Sequence, residues 1–536
     1  MTRVAAAQLA AGTDVAENLD ACLRMIDTAA EAGAELVVLP EFCNHLSWYD
    51  DRAHARRMAC TPSDSFLTTV AERAAAHEIY VKIGVTLARE DGRTTATSLL
   101  FGPDGDLLGE SDKQILMGAE NDHLDRGVDD SPVIDTPLGR IGMYACMEGV
   151  INEVTRSLTL RGAQLLLNSL NSFATDEASL HIPVRAAENR VWVVAANKVG
   201  PLLPGAQLPA IAERLGVPPD RLHGAGESQI VAPDGTCVAM APATGEAIVI
   251  ADIDISSADD KFREDGTDII AARRPELYEK LDTGPRERLA GPGAPAISAA
   301  IATASGREIR ELATAGVDLI VLPELADIPI PEVLRALAGT SGYVVTTVRD
   351  GAAHEGLLLH ASGIVGRQRQ LHRTARHPWL TLLGDELTVF ELPWGRVALV
   401  IGDDSIFPET FRLAAVADVD VVAVPFTPAE SWELRLGLPE RAAENRLNIV
   451  AAGSAPHGLT GEIYALSADF TLWTAWSGPF TGVISHPEVT ALPPGALAVR
   501  ATIRPAQAVN RTVSRGTDLV AGRPLRPLDT LTSRTH

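Results

Sequence analysis

The sequence predicts an α/β protein built from two copies of one domain, and two observations carry this prediction. Short apolar runs alternate with segments of helical periodicity, a pattern typical of sheets covered by helices. A chain of 536 residues is also too long for one ordinary core. Three segments recur in the same order: 31–41 as 314–324, 139–148 as 395–404, and 185–190 as 441–446.

The strands of the first copy are predicted from apolar runs bounded by turn residues, such as the Pro-Asp-Gly turns at 103–105 and 233–235. Mixed strands with flanking helices favour helices on both faces of a stack of sheets. The predicted strands are Val4–Leu9, Leu36–Leu39, Tyr80–Leu87, Thr95–Phe101, Ile141–Ala145, Leu165–Leu167, Val191–Ala195, Ser228–Ala232, Cys237–Met240 and Ile248–Ile255.

Three helices are predicted between these strands. The first begins near Val15, where apolar residues fall at helical spacing and Asp14 stands as the N-terminal cap. A second covers Asn152–Arg161 and ends before Gly162, which suits a C-terminal stop. A third covers Val184–Arg190.

Composition limits the classes of function. The formal net charge is −24, and an acidic surface repels nucleic acid. No apolar run has the length of a membrane span, and the N-terminus lacks the apolar region of a signal peptide, so a cytoplasmic location is expected. Five cysteines at irregular spacing argue against a disulfide framework, and no pair has zinc-ligand spacing, so no metal is expected.

Three chemically useful residues each follow a predicted strand or turn. Glu41 ends the run Leu-Val-Val-Leu-Pro, Lys113 follows the strand and turn of residues 95–105, and Cys146 ends the strand 141–145. Each type alone is common in an inert role, but a carboxylate, an ammonium and a thiol at three such ends could converge on one pocket and act as a nucleophilic site. Glu41 would accept the thiol proton, Lys113 would stabilise an oxyanion, and the backbone N–H of Met147 would assist.

These segments resemble the nitrilase superfamily of carbon–nitrogen hydrolases. The resemblance rests on Leu-Pro-Glu at 39–41, Lys113, Cys146, and the later segments 185–197, 226–235 and 273–278. It implies an α-β-β-α sandwich in each copy, a Glu-Lys-Cys triad, a thioester or thioimidate intermediate and no cofactor. Many members carry a second active-site glutamate after the lysine, and Glu120 is the candidate. The usual Arg and His beside the lysine are missing, and Met147 and Glu148 replace the usual Tyr and Asp.

The second copy lacks the nucleophile. Gly402 stands at the position of Cys146, Thr374 is expected at the position of the lysine, and neither Lys nor Cys occurs after Lys280. Glu324 is retained. The sequence therefore predicts an active domain over 1–282, a Gly/Pro-rich linker over 283–295 and a degenerate pseudo-domain over 296–536. Because members of the superfamily commonly dimerise through helices near the nucleophile, an intrachain pseudo-dimer is expected; a homo-oligomer stays open.

The predicted function is hydrolysis of an amide or N-carbamoyl bond of a small molecule, with neither nucleic acid nor membrane as a partner. A nitrilase, an acyltransferase with the same triad, and a non-catalytic binding protein remain alternatives. Specificity is expected in the loops 44–65 and 168–180 and in the insertion 201–222. His181 is expected to pack rather than to react, and the other loop candidates are His45, Trp48, Tyr49, Asn171 and His223.

Overall fold

The computed structural model describes residues 1–284, 286, 288–455, 458–467 and 482–533. Each half of the chain contains two six-stranded sheets. The strands of the first copy are β1 (Thr2–Gln8), β2 (Leu36–Val38), β3 (Tyr80–Ala88), β4 (Thr94–Phe101), β5 (Leu107–Asp112), β6 (Val133–Thr136), β7 (Gly139–Ala145), β8 (Leu165–Ser169), β9 (Trp192–Ala196), β10 (Gln229–Val231), β11 (Cys237–Met240) and β12 (Ala247–Ile253).

The two sheets of the first copy stack face to face. One has the order β12-β1-β2-β3-β4-β5 and the other β11-β10-β9-β8-β7-β6. The pairs β1–β2, β2–β3, β7–β8 and β8–β9 are parallel, and the outer pairs are antiparallel. Buried side chains such as Val38, Met143 and Leu167 fill the space between the sheets. The carboxyl ends of β2 and β7 therefore lie near one another.

Helices cover both outer faces of this stack. Helices α1 and α3 pack on the sheet that contains β1, and α6 and α7 pack on the sheet that contains β7. The helices are α1 (Val15–Glu31), α2 (Arg52–Met58), α3 (Ser65–His77), α4 (Glu120–His123), α5 (Met147–Val150), α6 (Glu153–Leu160), α7 (Ile182–Asn189) and α8 (Leu208–Leu215). This is the α-β-β-α sandwich that the resemblance implied.

The second copy repeats the architecture, with sheet orders β17-β16-β15-β14-β13-β24 and β18-β19-β20-β21-β22-β23. Its elements are β13 (Ile297–Ala302), α9 (Gly306–Thr314), β14 (Leu319–Val321), α10 (Ile330–Leu337), β15 (Tyr343–Asp350), β16 (Ala353–His360), β17 (Gly363–Arg369), β18 (Val389–Leu392), β19 (Gly395–Leu399), α11 (Pro408–Val416), β20 (Val421–Phe426), α12 (Leu438–Asn445), β21 (Asn448–Ala455), β22 (Gly458–Ala465), β23 (Glu488–Ala491), β24 (Ala498–Ile503), β25 (Thr512–Ser514), β26 (Thr517–Asp518) and α13 (Arg526–Thr532).

The two copies pack through α6 and α7 of one against α11 and α12 of the other. Arg156 Nε lies 2.9 Å from Glu409 Oε1, and Arg412 Nε lies 2.8 Å from Glu153 Oε1. These four side chains are buried, and each pair is the other pair shifted by the repeat. The contact is therefore self-complementary, as in a two-fold dimer, but within one chain.

Most predicted elements are confirmed within one or two residues. Asp14 caps α1 by accepting hydrogen bonds from the backbone N–H of Ala16 and Glu17. The predicted helix 152–161 is α6, and the insertion 201–222 contains α8. The edge strands β5 and β6 were not predicted, because they are short and half-exposed and lack a continuous apolar run.

Among the described helices, none combines the length and the apolar character that crossing a membrane requires.

Candidate active site

The structure brings Glu41, Lys113 and Glu120 together. Glu41 follows β2, and Lys113 follows β5 directly. The Nζ atom of Lys113 lies 2.9 Å from Oε1 of Glu41 and 2.9 Å from Oε2 of Glu120. Glu41 and Lys113 are almost fully buried, and Glu120 is half-buried at the start of α4. One ammonium is therefore held between two carboxylates.

Cys146 lies at a sharp turn between β7 and α5. Its φ is +46°, a conformation that a residue with a side chain adopts only under constraint. Its backbone N–H donates to the carbonyl of Ser169 and to Oδ1 of Asn168, each at 3.0 Å. Met147, the predicted oxyanion donor, is the first residue of α5. The strained turn presents the thiol at the end of the strand.

The electrostatics keep the Cys146 thiol protonated in the resting protein. Burial raises its pKa well above the ordinary value, and the opposing effect of the Lys113 cation is smaller. Burial also raises the pKa of Glu41 to about 7, against the lowering effect of Lys113. Burial lowers the pKa of Lys113, but Glu120 and Glu41 outweigh it and raise that pKa well above the ordinary value. Lys113 is therefore cationic at neutral pH, and Glu41 titrates there.

Glu148 is a supporting residue that sequence reasoning missed. Its Oε1 accepts the N–H of Gln114 at 2.7 Å, and its Oε2 accepts the N–H of Ala145 at 2.8 Å. One buried carboxylate therefore joins the lysine segment to the cysteine turn. The repeat could have identified Glu148, because Asp404 occupies the same place in the second copy. Asp404 accepts the N–H of Leu371 at 2.8 Å.

Glu177 is a second missed residue. It begins a π-helical turn, Glu177–His181, and its Oε1 lies 3.9 Å from the Sγ of Cys146. Burial raises the pKa of Glu177 to about 7. The repeat could also have identified Glu177, because Glu433 lies 256 residues later at the same kind of turn.

A cavity of about 400 Å³ opens beside Cys146 and Glu120. All three predicted specificity regions contribute to its wall, with Trp48 and Asn171 among the candidates. His45, Tyr49, His181 and His223 are not part of the wall. The apolar lining consists of Trp48, Met117, Phe173, Leu202, Leu203 and Leu222.

His181 is buried and serves the contact between the copies, as its predicted packing role implies. Its Nδ1 lies 2.8 Å from Oε2 of Glu440 in the second copy, and its Nε2 lies 3.4 Å from Oδ2 of Asp176. The Asp176 carboxylate also accepts the backbone N–H groups of Ile484 and Ser485. The second copy thus holds the loop that carries Glu177.

A hairpin of the second copy, β25–β26, reaches the same cavity. Its Ser514 Oγ accepts the N–H of Gly118 at 2.7 Å, and its Thr517 Oγ1 donates to the carbonyl of Leu116 at 2.6 Å. Arg515, at the turn of this hairpin, lines the cavity. The segment that carries Glu120 is therefore held from outside its own copy.

The corresponding site of the second copy is filled by side chains. Gly402 keeps the left-handed backbone of Cys146, with φ at +55°, and a Cβ there would lie 2.6 Å from Oε1 of Glu324. Arg376 binds Glu324 through two contacts, Nη1–Oε2 at 2.8 Å and Nη2–Oε1 at 2.9 Å, and its Nε lies 3.1 Å from Asp403. A thiol side chain there would have to displace the Glu324 carboxylate, which Arg376 holds in place.

The predicted equivalence of Thr374 with the lysine is wrong. Gln370 follows β17 directly, as Lys113 follows β5, and its N–H donates to the carbonyl of His354 at 2.9 Å, as that of Lys113 donates to the carbonyl of Ala96 at 2.8 Å. Thr374 instead donates to Asp403. The lysine position is therefore occupied by a neutral amide.

Three groups of metal-ligand type meet in the second copy: Glu324, His354 and His377. Both oxygens of Glu324 already accept hydrogen bonds from Arg376. A metal bound there would have to compete with a guanidinium for the same carboxylate, so these residues fit a metal poorly.

Known proteins are similar to about half of this chain. The family model described as carbon–nitrogen hydrolase matches residues 3–261. A nitrilase of Pyrococcus abyssi (strain GE5 / Orsay) is 28% identical over 264 residues, which are 49% of this chain and 93% of the relative. An omega-amidase of Bos taurus is 29% identical over 290 residues, 52% of this chain and 96% of the relative.

A hydrolase encoded in the pqqF 5′ region of Pseudomonas protegens (strain DSM 19095 / LMG 27888 / CFBP 6595 / CHA0) is 30% identical over 282 residues, 50% of this chain and 87% of the relative. Among solved structures, an amidase of Nesterenkonia sp. superposes with a TM-score of 0.41 at 22% identity, over 48% of this chain and 92% of that chain. The family model and the 30% identical relative of Pseudomonas protegens show that the chain belongs to the carbon–nitrogen hydrolase family and is a carbon–nitrogen hydrolase.

Proposed function

We propose that the first copy hydrolyses the amide bond of a small molecule, with Cys146 as the nucleophile. One observation carries the proposal: Glu41 and Lys113 are paired in a buried site, and Cys146, whose pKa both of them influence, opens onto a cavity of about 400 Å³. A cavity of this size suits a small molecule. The omega-amidase relative supports an amide as the substrate.

Acylation is the first step. The Sγ of Cys146 forms a bond to the carbonyl carbon of the amide while the thiol proton moves to Glu41. Oε2 of Glu41 has no hydrogen-bond partner among the described residues, so it can accept this proton. The tetrahedral intermediate bears a negative oxygen, which Lys113 and the N–H of Met147 stabilise. The carbon–nitrogen bond then breaks, the nitrogen takes the proton from Glu41, and ammonia leaves.

Deacylation returns the enzyme to its starting state. Glu41 removes a proton from a water molecule, whose oxygen attacks the thioester carbon. The carbon–sulfur bond breaks, the thiolate takes the proton back, and the carboxylic acid is released. One amide and one water thus give one acid and one ammonia. Glu120 also binds Lys113, with Oε2 2.9 Å from its Nζ.

We further propose that the second copy is a non-catalytic pseudo-domain that acts as the partner of the first. The second copy is proposed to be non-catalytic because Gly402 replaces the nucleophile and Gln370 replaces the lysine. It is proposed to act as a partner because the contact between the copies is self-complementary, through Arg156–Glu409 and Arg412–Glu153. Under this proposal the domains are 1–282 and 296–536, as the repeat predicts.

Ammonia release from a panel of small amides, N-carbamoyl compounds and nitriles tests the function. Cys146→Ala is the blank, and Cys237→Ala, which removes an exposed thiol, is the matched control. We expect release from amides that the control retains and the Cys146 variant loses. Equal release by wild type and Cys146→Ala, or acid formation from nitriles alone, would contradict the proposal.

A further inference from the structure

We propose that Lys82 and Lys198, two buried lysines outside the cavity wall, are positioning residues for Glu41, and that together they hold the backbone on both sides of this carboxylate. The inference rests on the proposed function, because it takes Glu41 as the base that receives the thiol proton. It starts from the lysines of the chain, which number five. Three of them are fully buried in the first copy, and the third of these is Lys113.

Lys198 holds the residue that follows Glu41. It lies two positions after β9, and its Nζ donates to the carbonyl of Phe42 at 2.9 Å. Phe42 has a φ of +54°, a conformation that a residue with a side chain adopts only under constraint. The centre of its ring also lies 5.8 Å from the Nζ of Lys198 and 5.8 Å from that of Lys113, within the range of a cation–π contact. Lys198 therefore fixes the strained end of the segment that carries Glu41.

Lys82 acts on the other end of this segment through Ser169. Its Nζ donates to Oγ of Ser169, and this hydroxyl donates to the carbonyl of Leu39, two positions before Glu41. The carbonyl of the same Ser169 accepts the N–H of Cys146 at 3.0 Å. Because Lys82 lies on β3 and Ser169 ends β8, the link crosses from one sheet to the other. It joins the segment of the base to the turn of the nucleophile.

Neither of the two lysines is paired with a carboxylate. Lys82 and Lys198 are fully buried, yet they take part in none of the ion pairs found in the described ranges of the chain. Burial lowers the pKa of Lys82 to about 7 and that of Lys198 to about 8. An amine keeps N–H donors in both protonation states, so the two contacts persist across neutral pH. An apolar side chain would fill the same space at a lower cost in desolvation, so packing alone does not account for these lysines.

The repeat shows that the fold does not require these residues. Three residues of the network have uncharged replacements at the matching strand positions of the second copy: Val345 for Lys82, Pro425 for Ser169 and Ser454 for Lys198. The turn after β14 forms nevertheless, and Leu325, which follows Glu324, has a φ of +48°. The buried lysines therefore serve something that the degenerate copy does not do.

Lys198 also affects the charge of Glu41. Several ionisable groups influence the pKa of Glu41 or are influenced by its charge: Tyr49, Lys82, Lys113, Glu120, Cys146, Glu148 and Lys198. Burial raises the pKa of Glu41 to about 7, Lys113 and Lys198 lower it, and Glu120 raises it. Loss of the Lys198 cation should therefore raise this pKa further, so that the base ionises only at higher pH.

Steady-state kinetics with the amide that wild type hydrolyses fastest tests the positioning role. Lys82→Met and Lys198→Met should each lower kcat by up to about a hundredfold, because a displacement of about 1 Å at a reacting group has an effect of this size. KM should stay nearly unchanged, since neither lysine lines the cavity. Lys198→Met should also move the fall of kcat/KM at low pH to higher pH. Lys198→Gln keeps a neutral N–H donor and should recover part of kcat but not the position of this fall.

Lys261→Met is the matched control. Lys261 is half-buried and donates to the carbonyls of Asn189 and Arg190 at 3.0 and 2.8 Å, and burial lowers its pKa to about 8 as well. Its replacement should change neither kcat nor the pH profile. A kcat equal to that of wild type in both Lys82→Met and Lys198→Met would overturn the inference. Loss of the folded state in either variant, measured by circular dichroism, would assign a structural role instead and would overturn it too.

Alkylation of Cys146 separates this inference from the proposed function. In a Cys237→Ala background, iodoacetamide labels Cys146 without turnover, and the rate should rise with pH as Glu41 ionises. Lys198→Met should shift this rise to higher pH, and the shift should vanish when Glu41→Gln is also present. If wild type releases no ammonia but this shift and its dependence on Glu41 are found, the function fails and the positioning role stands. If ammonia is released and neither kcat nor alkylation responds to the two lysines, the positioning role alone fails.

Discussion

At the scale of single residues, the site combines the Lys113 cation with several buried carboxylates. Burial raises the pKa values of Glu41, Glu148 and Glu177 to about 7 each. Lys113 lowers the pKa values of Glu41 and Glu148, and it also lowers that of Cys146. Groups that titrate near the working pH suit acid–base catalysis. Under the proposed mechanism, the thiol proton moves to Glu41 during the reaction, and the resting protein holds the thiol rather than a thiolate.

The pH dependence of kcat/KM follows from Glu41. A general base works only when ionised, and its ionised fraction rises as the pH rises through its pKa. With that pKa at about 7, kcat/KM for an uncharged amide should fall as the pH is lowered through neutrality. Initial rates of ammonia release over a pH series measure this, with Glu41→Gln as the inactive reference. A profile that stays flat across neutral pH would exclude Glu41 as the base.

Glu177 affects the thiol in the opposite direction to Lys113. Its charge, 3.9 Å from Sγ, raises the pKa of Cys146. Glu177→Gln should therefore shift the pH dependence of Cys146 alkylation by iodoacetamide to lower pH. The measurement uses a Cys237→Ala background, and Glu213→Gln, exposed on α8, is the control. An unchanged alkylation profile would show that the two side chains do not interact.

At the scale of elements, the helices between the copies are joined by buried ion pairs. Removal of one partner from a buried pair leaves an uncompensated charge, which costs about 3–5 kcal/mol, whereas an exposed pair contributes about 1 kcal/mol or less. Burial opposes ionisation of Glu409, but Arg156 and Arg273 hold its pKa well below the usual range. The contact between α6 and α11 thus depends on the arginine side chains that keep Glu409 ionised.

Arg156→Met should destabilise the protein by about 3–5 kcal/mol, because Glu409 would keep only Arg273, at 2.8 Å. Arg412→Met should cost a similar amount by the pseudo-symmetry. The matched control is Arg24→Met, whose pair with Glu246 is exposed. Denaturant unfolding followed by intrinsic fluorescence measures the midpoints. Equal midpoints for Arg156→Met and Arg24→Met would contradict a stabilising role of the buried pair.

At the scale of the whole molecule, the second copy contributes to the active cavity. The hairpin β25–β26 holds the Glu120 segment, and the residues around Ile484 hold Asp176 beside Glu177. Residues 263–282 of the first copy in turn pack on the second, where Arg263 Nη2 lies 2.7 Å from Glu433 and Tyr278 bonds His372. The exchange of segments makes the two copies interdependent.

A fragment of residues 1–282 should therefore have little or no amidase activity on its own. It would lack both supports of the cavity, and its α6–α7 face would be exposed. Co-expression with residues 283–536 should restore ammonia release, which affinity purification of the pair and the same assay would measure. Full activity from a folded fragment 1–282 would show that the second copy is dispensable.

The sequence by itself determined the tandem architecture and the candidate residues. The repeat and the apolar periodicity are local properties of the chain, so the two copies and most strands followed from them. The predicted strand ends singled out Glu41, Lys113 and Cys146, and the family resemblance added the sandwich and Glu120. Only the tertiary structure placed Glu148 and Glu177 at the site and Gln370 at the lysine position. Such equivalences depend on contacts between elements far apart in the chain. The contact of Arg515 with Asp122, nearly 400 positions earlier in the chain, likewise depends on how the two copies pack. The spacing of residues in the sequence does not predict that packing.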